Sequence, residues 1–305
     1  MLKTIQNFIL MLLPSSKLNQ DVSITYNQCD DLKPLNIHEL SLTSLMKKKV
    51  LNLRKQNSHI TITRANKKLT LIIPYRNRKE HLKIFLPTII KELDTQNIDY
   101  EIIIAEQDDN NFFNKAKLMN IAALHADEKS DYFVFHDVDS IPLDVNYKYC
   151  NHTVRLFNYI KRDSEYEEYP QTVFGGAILI PKNIFFDING FANNYWQWGK
   201  EDDDFLLRHL FKGYIPLYET NAKLSMLPHP RALTIDVHGN VATDTKTLKE
   251  NKKLSDTNKQ TFSKFKRGIT SQENDGINNI KDYKINSITV NGTIKTIKIQ
   301  LHYTD

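Results

Sequence analysis

Residues 173–204 read VFGGAILIPKNIFFDINGFANNYWQWGKEDDD. Gly175 to Ile180 is a run of small and β-branched residues. It predicts a buried strand entered through a Gly175-Gly176 step, where backbone can approach a ligand closely. Trp196 and Trp198 then stand beside Gly199, and Glu201, Asp202, Asp203 and Asp204 follow Lys200. FLLRHLFKG has helical spacing and ends at Gly213, a C-terminal signal. Four carboxylates therefore crowd the first turn of a helix, directly after two large aromatic faces. Capping explains one or two of them, at about 0.3–1 kcal/mol each. Four contiguous like charges repel one another, so a sugar, a metal or a reacting proton is expected to hold them. Aromatic rings beside carboxylates suit a carbohydrate, which offers apolar CH faces and many hydroxyl donors.

Outward from this stretch, the pattern is α/β. KLTLIIPYRNRKEHL gives an apolar strand from Leu69 to Ile73 with Pro74 after it, then Arg76 and Arg78, then a helix from about Arg78 to Leu93. Ligands of open α/β sheets sit at the carboxyl ends of strands, so both arginines are placed for phosphate recognition. A second strand ends near Gln107, and the helix after it carries Lys115 and Lys117. A third, YFVFHDVDS, ends in Asp137-Val138-Asp139, and alternate strand residues point the same way, so both carboxylates can approach one ion. Met226 and His229 flank a short turn in KLSMLPHPR. By themselves they fit packing as well as ligation.

The 305 residues are 40% hydrophobic, enough for one large domain over 65–305. Residues 1–64 form an N-terminal appendage in which Ile37, Leu40, Leu45, Leu51 and Leu53 are loosely helical in spacing. Its Lys47-Lys48-Lys49 run reads as a solvated helix face, with peripheral membrane contact as the alternative. The polar, Lys- and Thr-rich stretch 232–272 reads as a long surface insertion with some helix. Asn291-Gly292 between two alternating runs predicts a hairpin. A net charge of +5 is mild; it admits a nucleotide or an anionic membrane surface, and no nucleic-acid module is visible. Two cysteines, Cys29 and Cys150, exclude a disulfide framework and a cysteine zinc site. The apolar run from Phe8 to Leu13 is far short of the ~18–20 residues that span a bilayer. The expected localisation is cytoplasmic, with peripheral contact on the inner face of the cell membrane admitted.

Several separated motifs together resemble one family, the β-1,4-galactosyltransferases of glycosyltransferase family 7, which includes β-1,4-N-acetylgalactosaminyltransferases. In order they are IIPYRNRKEHL, FNKAKLMNIA, FVFHDVDSIP, FGGAILI, GFANNYWQWGKEDDD, MLPH and NDGINNI. The resemblance implies a GT-A fold, a Rossmann-like nucleotide-sugar-binding architecture with a mixed central sheet flanked by helices. It also implies a manganese-dependent transfer from a UDP-sugar with inversion at the anomeric carbon. Asp139, Met226 and His229 match the family's metal ligands. Pro74, Arg76 and Arg78 match its diphosphate-binding pattern, and Phe113 its uracil-side aromatic. Lys115 stands where animal members carry Arg, and Asp137, Val138 and Gly176 join the donor-binding set. Asp202 matches the catalytic base. Glu201 and Asp203 would hold sugar hydroxyls, and Trp198 would stack over sugars on a loop hinged at Gly199.

Three departures qualify the match. Val173 replaces a tyrosine of galactose-transferring animal members and leaves room for an N-acetyl group, so both UDP-Gal and UDP-GalNAc are candidate donors. His229 and Asp275 lie 46 positions apart, a longer span than in the animal enzymes, so the acceptor, GlcNAc- or uronate-ended, is not carried over. Cys150 matches a family disulfide cysteine, but Tyr132 takes its partner's position. With no spanning segment, these features lead to the expectation of a bacterial-type enzyme of surface polysaccharide or glycoconjugate synthesis. The competing readings are a non-catalytic carbohydrate- or nucleotide-sugar-binding relative and a carboxylate-metal phosphohydrolase.

Overall fold

The computed structural model describes residues 25–26, 32–35, 61–62, 64–65, 67–170, 172–230 and 232–303. The strands and helices that position the site are, in chain order, β1 (Leu32–Pro34), β2 (Leu69–Tyr75), α1 (Lys79–Thr95), β3 (Tyr100–Gln107), α2 (Lys115–Leu124) and β4 (Tyr132–His136). Next come β5 (Ser140–Leu143), β6 (Val154–Arg155), β7 (Tyr159–Lys161), β8 (Tyr166–Glu168), β9 (Ala177–Pro181) and α3 (Lys182–Asp187). The chain continues through α4 (Glu201–Lys212), β10 (Leu217–Glu219), β11 (Lys223–Met226), α5 (Thr245–Lys266), β12 (Tyr283–Asn291) and β13 (Ile294–Leu301).

A nine-stranded mixed sheet in the order β12-β13-β3-β2-β4-β9-β6-β10-β1 forms the centre. β13, β3, β2 and β4 run parallel, and β9 returns antiparallel to β4. Every residue of β2 and β4 is buried, which is why these strands read as unbroken apolar runs: helices cover both faces of a parallel sheet. One face packs on α1 through Phe85, Ile89 and Leu93; the other packs on α2 and α4. A smaller sheet, β8-β7-β11-β5, stands beside the carboxyl end of β4.

Three sequence expectations are corrected. β2 continues through Pro74 to Tyr75, because its ladder to β4 ends at Ile72 and the residue lacking an amide lies beyond it. Asp137-Val138-Asp139 lies in the turn between β4 and β5 rather than on a strand, so the two carboxylates do not share a strand face. Residues 1–64 are not wholly an appendage: β1 adds an edge strand to the main sheet, and Leu32 and Leu35 are buried. The spacing of Ile37 to Leu53, the lysine run at 47–49 and Cys29 fall outside the described residues. Cys150 is buried opposite Arg64.

The stretch 232–272 contains a 3-10 turn at Ala232–Thr234 and the 22-residue α5. Asp244 caps this helix by accepting from the Thr247 amide at 2.7 Å. Its buried stripe mixes Leu254 and Phe265 with Asn251, Ser255 and Asn258, which hides the apolar period. No helix among the described residues is long and apolar enough to cross a membrane.

Candidate active site

The carboxyl ends of β2, β3 and β4, the start of α4 and the turn after β11 surround a cleft of about 720 Å³. Thirteen of the sixteen sequence-named residues line it: Pro74, Arg76, Arg78, Phe113, Lys115, Asp137, Val138, Asp139, Trp198, Glu201, Asp202, Met226 and His229. Gly176 lies beneath, in a small cavity shared with Lys115, Asp137 and Asp202. Val173 and Asp203 do not line the cleft. The Val173 carbonyl is held by the buried Arg155 at 2.9 Å, and Asp203 turns to Lys200 at 2.9 Å.

Helical geometry sorts the four carboxylates of α4. Successive side chains rotate by about 100°, so Glu201 and Asp202 face the cleft, while Asp203 meets Lys200. Asp204 points into the core, where it accepts from Tyr195 Oη at 2.9 Å and pairs with Arg208 Nε at 2.5 Å. Lys115, on the first turn of α2, bridges the remainder. Its Nζ is 3.0 Å from Asp137 Oδ1 and 3.6 Å from Asp202 Oδ1.

The electrostatics follow from burial. Burial pushes the Asp202 carboxyl up to about 8; Lys115 pulls it back, and Glu201 and Asp137 push it further. Glu201 is raised by burial as well, against Lys115. Burial alone would lower Lys115, but Asp137, Asp202 and Glu201 outweigh it and hold the amine charged well above the usual lysine range. A helix start favours an ionised carboxylate, but at Asp202 desolvation and the neighbouring acids outweigh that and Lys115. Asp202 still keeps 28% of its side chain accessible, which leaves its carboxylate open to a substrate.

At the other wall, Arg76 is also buried, which lowers it to about 10. Its guanidinium lies 5.1 Å from the Phe113 ring centroid and donates to the Asn111 carbonyl at 2.6 Å. The tryptophan loop is tied to this wall, since the Gln197 amide donates to the Phe113 carbonyl at 2.6 Å. Trp198 is half exposed over the cleft, whereas Trp196 is buried edge-on against Tyr303.

Between the walls, β5 pairs with β11 so that Met226 stands opposite Ser140, next to Asp139. His229 Nδ1 donates to the Pro230 carbonyl at 2.7 Å, which turns Nε2 toward Asp139 Oδ2 at 3.2 Å. A cation can sit between that nitrogen and the Asp139 carboxylate. Burial first, then Asp137, raises the Asp139 carboxyl, opposed by His229 and Arg78. Among the described residues no three His, Cys, Asp or Glu side chains cluster as a metal site; the third donor here is a thioether. One carboxylate, one imidazole and one thioether fit a borderline divalent ion better than magnesium.

Two family models match adjoining parts of this chain. The N-terminal region of glycosyl transferase group 7 matches residues 29–151, and the N-terminal domain of galactosyltransferase matches 151–229. Together they cover about two thirds of the sequence and all but the last wall of the cleft. The chain belongs to glycosyl transferase group 7. Rat β-1,4-galactosyltransferase 4 is 36% identical over 182 residues, 58% of this chain and 53% of that protein. Human β-1,4-galactosyltransferase 1 is 40% identical over 153 residues, 48% of this chain and 37% of that protein. The group 7 chain thus spans about half or less of these relatives' length. They are animal enzymes, and nothing in them supports the bacterial-type assignment.

Two solved structures of Drosophila β-1,4-galactosyltransferase 7 share the fold. A mutant in complex with manganese, UDP-Gal and xylobiose superposes with a TM-score of 0.60 at 23% identity, covering 78% of this chain and 95% of that one. The catalytic domain with xylobiose gives 0.57 at 26% identity, with the same coverage. The GT-A architecture expected from sequence is the architecture found.

Sequence reasoning missed several residues of this group 7 site. Gln197 and the insertion's Leu233, Thr234, Ile235 and Gly239 also line the cleft; nothing local marks them. Gly175 had a signal, the Gly-Gly step, but not an assigned role. Its bare Cα abuts the Asp202 carboxylate, and a Cβ there would collide with it. We expect Gly175→Ala to lower kcat by about 10²-fold, as a displacement near 1 Å does, with an unchanged circular dichroism spectrum. A kcat within twofold of wild type would show that Asp202 has room to move.

Proposed function

We propose that the protein is an inverting, metal-dependent glycosyltransferase that moves galactose or N-acetylgalactosamine from a UDP-sugar to a hydroxyl of a saccharide acceptor, forming a β-1,4 linkage. The observation that carries this reading is the one cleft in which the Arg76–Phe113 wall, the Asp139–Met226–His229 donor set, the half-buried Asp202 and Trp198 all meet. Phe113 offers a face to a uracil, and Arg76 and Arg78 offer guanidinium forks to the two phosphates. Asp139, Met226 and His229 would hold a manganese-type ion, whose chemistry when bound is neutralisation of diphosphate charge.

The chain's own residues account for acceptor activation. Trp198 presents an apolar ring to sugar CH faces and shields the cleft from water. Glu201 accepts a sugar hydroxyl. The Asp202 carboxylate takes the proton from the acceptor hydroxyl as that oxygen attacks the anomeric carbon opposite the departing diphosphate. Lys115, charged and within reach of Asp202, fixes the carboxylate and favours its ionised form.

The test is a panel of UDP-sugars with manganese or magnesium, with and without GlcNAc- or glucuronate-ended acceptors, following UDP release and the product linkage by NMR. Val173 precedes the Gly175-Gly176 step but does not line the cleft, so UDP-GalNAc and UDP-galactose are compared in wild type and in Val173→Tyr: a shift to galactose in the variant ties donor choice to this position, and no shift assigns it to the cleft-lining residues. His229→Ala should weaken manganese dependence by roughly 100-fold. Inorganic phosphate in place of a glycoside product, or equal activity with magnesium, would overturn the reading.

A further inference from the structure

Helix α5, inserted between His229 and Asp275, carries seven lysines against two acids. That excess equals the +5 of the whole chain, so the rest of the molecule is balanced and its positive charge is concentrated on one helix. Lys246, Lys249, Lys252, Lys253 and Lys264 are exposed. Among the described residues, Lys259 with Asp256 at 2.9 Å is the one ion pair the helix makes. Lys246, Lys249 and Lys253 follow one another at helical i,i+3 and i,i+4 spacing, where like charges weaken a helix. A bound polyanion would remove that repulsion.

A lysine-rich face is ordinarily only solvated, but this one is fixed to the reaction centre. Asn258 Nδ2 donates to the Trp196 and Trp198 carbonyls at 2.9 and 3.1 Å. Asn251 Nδ2 donates to the Leu233 and Ile235 carbonyls at 3.1 and 2.8 Å, and its Oδ1 accepts from Gln197 at 3.2 Å. Both asparagines are buried, and four of the five residues they hold line or bear the cleft's mouth. The lysines on the opposite side of α5 therefore stand at a set place relative to Trp198 and Asp202.

We propose that the outward face of α5 docks an acidic glycan, a polymer with repeated anionic groups, whose acceptor end enters the cleft at Trp198; this rests on the transferase reading above. Lysines are mobile point charges, suited to a series of carboxylates rather than to one planar partner. A membrane is the weaker fit. Among the described residues of α5, Leu248 is the single exposed large apolar side chain, at 37%, and a helix lying in a lipid interface needs an apolar face to bury.

The experiment pairs two acceptors with the same terminal sugar, one on a neutral oligosaccharide and one on an oligouronate. Wild type is compared with the triple variant Lys249→Glu, Lys252→Glu, Lys253→Glu. The KM for the oligouronate acceptor should rise roughly tenfold in the variant and fall into line with wild type as salt screens the charges. The KM for the neutral acceptor and for the UDP-sugar should not move. Equal KM for both acceptors in wild type, or an equal change for both in the variant, overturns the proposal. Calorimetry with polygalacturonate, dextran and phosphatidylglycerol vesicles gives a readout independent of turnover. Binding of polygalacturonate by wild type and its loss in the variant support the surface; binding of vesicles without polygalacturonate overturns it in favour of a membrane. If no UDP-sugar is turned over, the transferase reading fails, and the calorimetric arm still decides the docking surface.

Discussion

Asp202→Asn should bind UDP-sugar within a few-fold of wild type yet lose about 10²–10⁴-fold in kcat, the contribution of a positioned general base. The amide keeps the shape of the carboxylate beside Gly175 but cannot take a proton. Single-turnover transfer and donor binding, measured on the same preparation, separate the two effects; near-normal kcat would remove Asp202 as the base. The raised carboxyl adds a pH signature. Only ionised Asp202 can accept the proton, and burial holds it near 8, so kcat/KM should fall tenfold per pH unit below about 8 and the variant should lose that limb. Stability runs the other way. The folded carboxyl titrates above its ordinary 3.8, so the stability its protonated form provides is whole below about 4 and is lost as pH rises through about 8. Asparagine resembles the protonated acid, so the variant's Tm should gain on wild type across that window. A catalytic group that destabilises its own fold is a common trade-off.

Arg208→Met should be the most destabilising single change. Arg208 is buried, bonds Asp204, and donates to the carbonyls of Asn189, Gly190 and Asp275 at 3.2, 3.3 and 2.7 Å. One side chain thus joins α4 to the segment before the tryptophan loop and to the segment after the insertion. Removing it strands a buried carboxylate, a loss of about 3–5 kcal/mol. Against a total stability of roughly 5–15 kcal/mol, that is severe. Urea unfolding measures it directly. A loss below about 1 kcal/mol would mean that water or Tyr195 alone can satisfy Asp204. Adding Asp204→Leu should recover part of the loss, since no unpaired charge then remains.

How far the sequence reaches differs between these residues. Residues 173–204 were legible because their signals are local: an apolar run, a glycine pair, two tryptophans, four acids and Gly213 as the helix stop. The parallel sheet was legible for the same reason, since strands buried on both faces read as continuous apolar runs. The hairpin at Asn291-Gly292 was legible because its turn demands positive φ, and Gly292 adopts +59°. The fates of the four acids were not legible. Composition says only that they repel; Lys200 and Arg208 pair with Asp203 and Asp204 at local i,i+3 and i,i+4 spacing, whereas Lys115 and Tyr195, which complete the sorting, arrive from other elements. Asp137-Val138-Asp139 looked like a strand end because the chain before it is apolar, whereas the pairing of β5 with β11 makes it a turn. The insertion was least legible of all. Within a stretch that reads as a surface insertion, only the packed tertiary structure buries Asn251 and Asn258 and makes them donors to the carbonyls of Leu233, Ile235, Trp196 and Trp198.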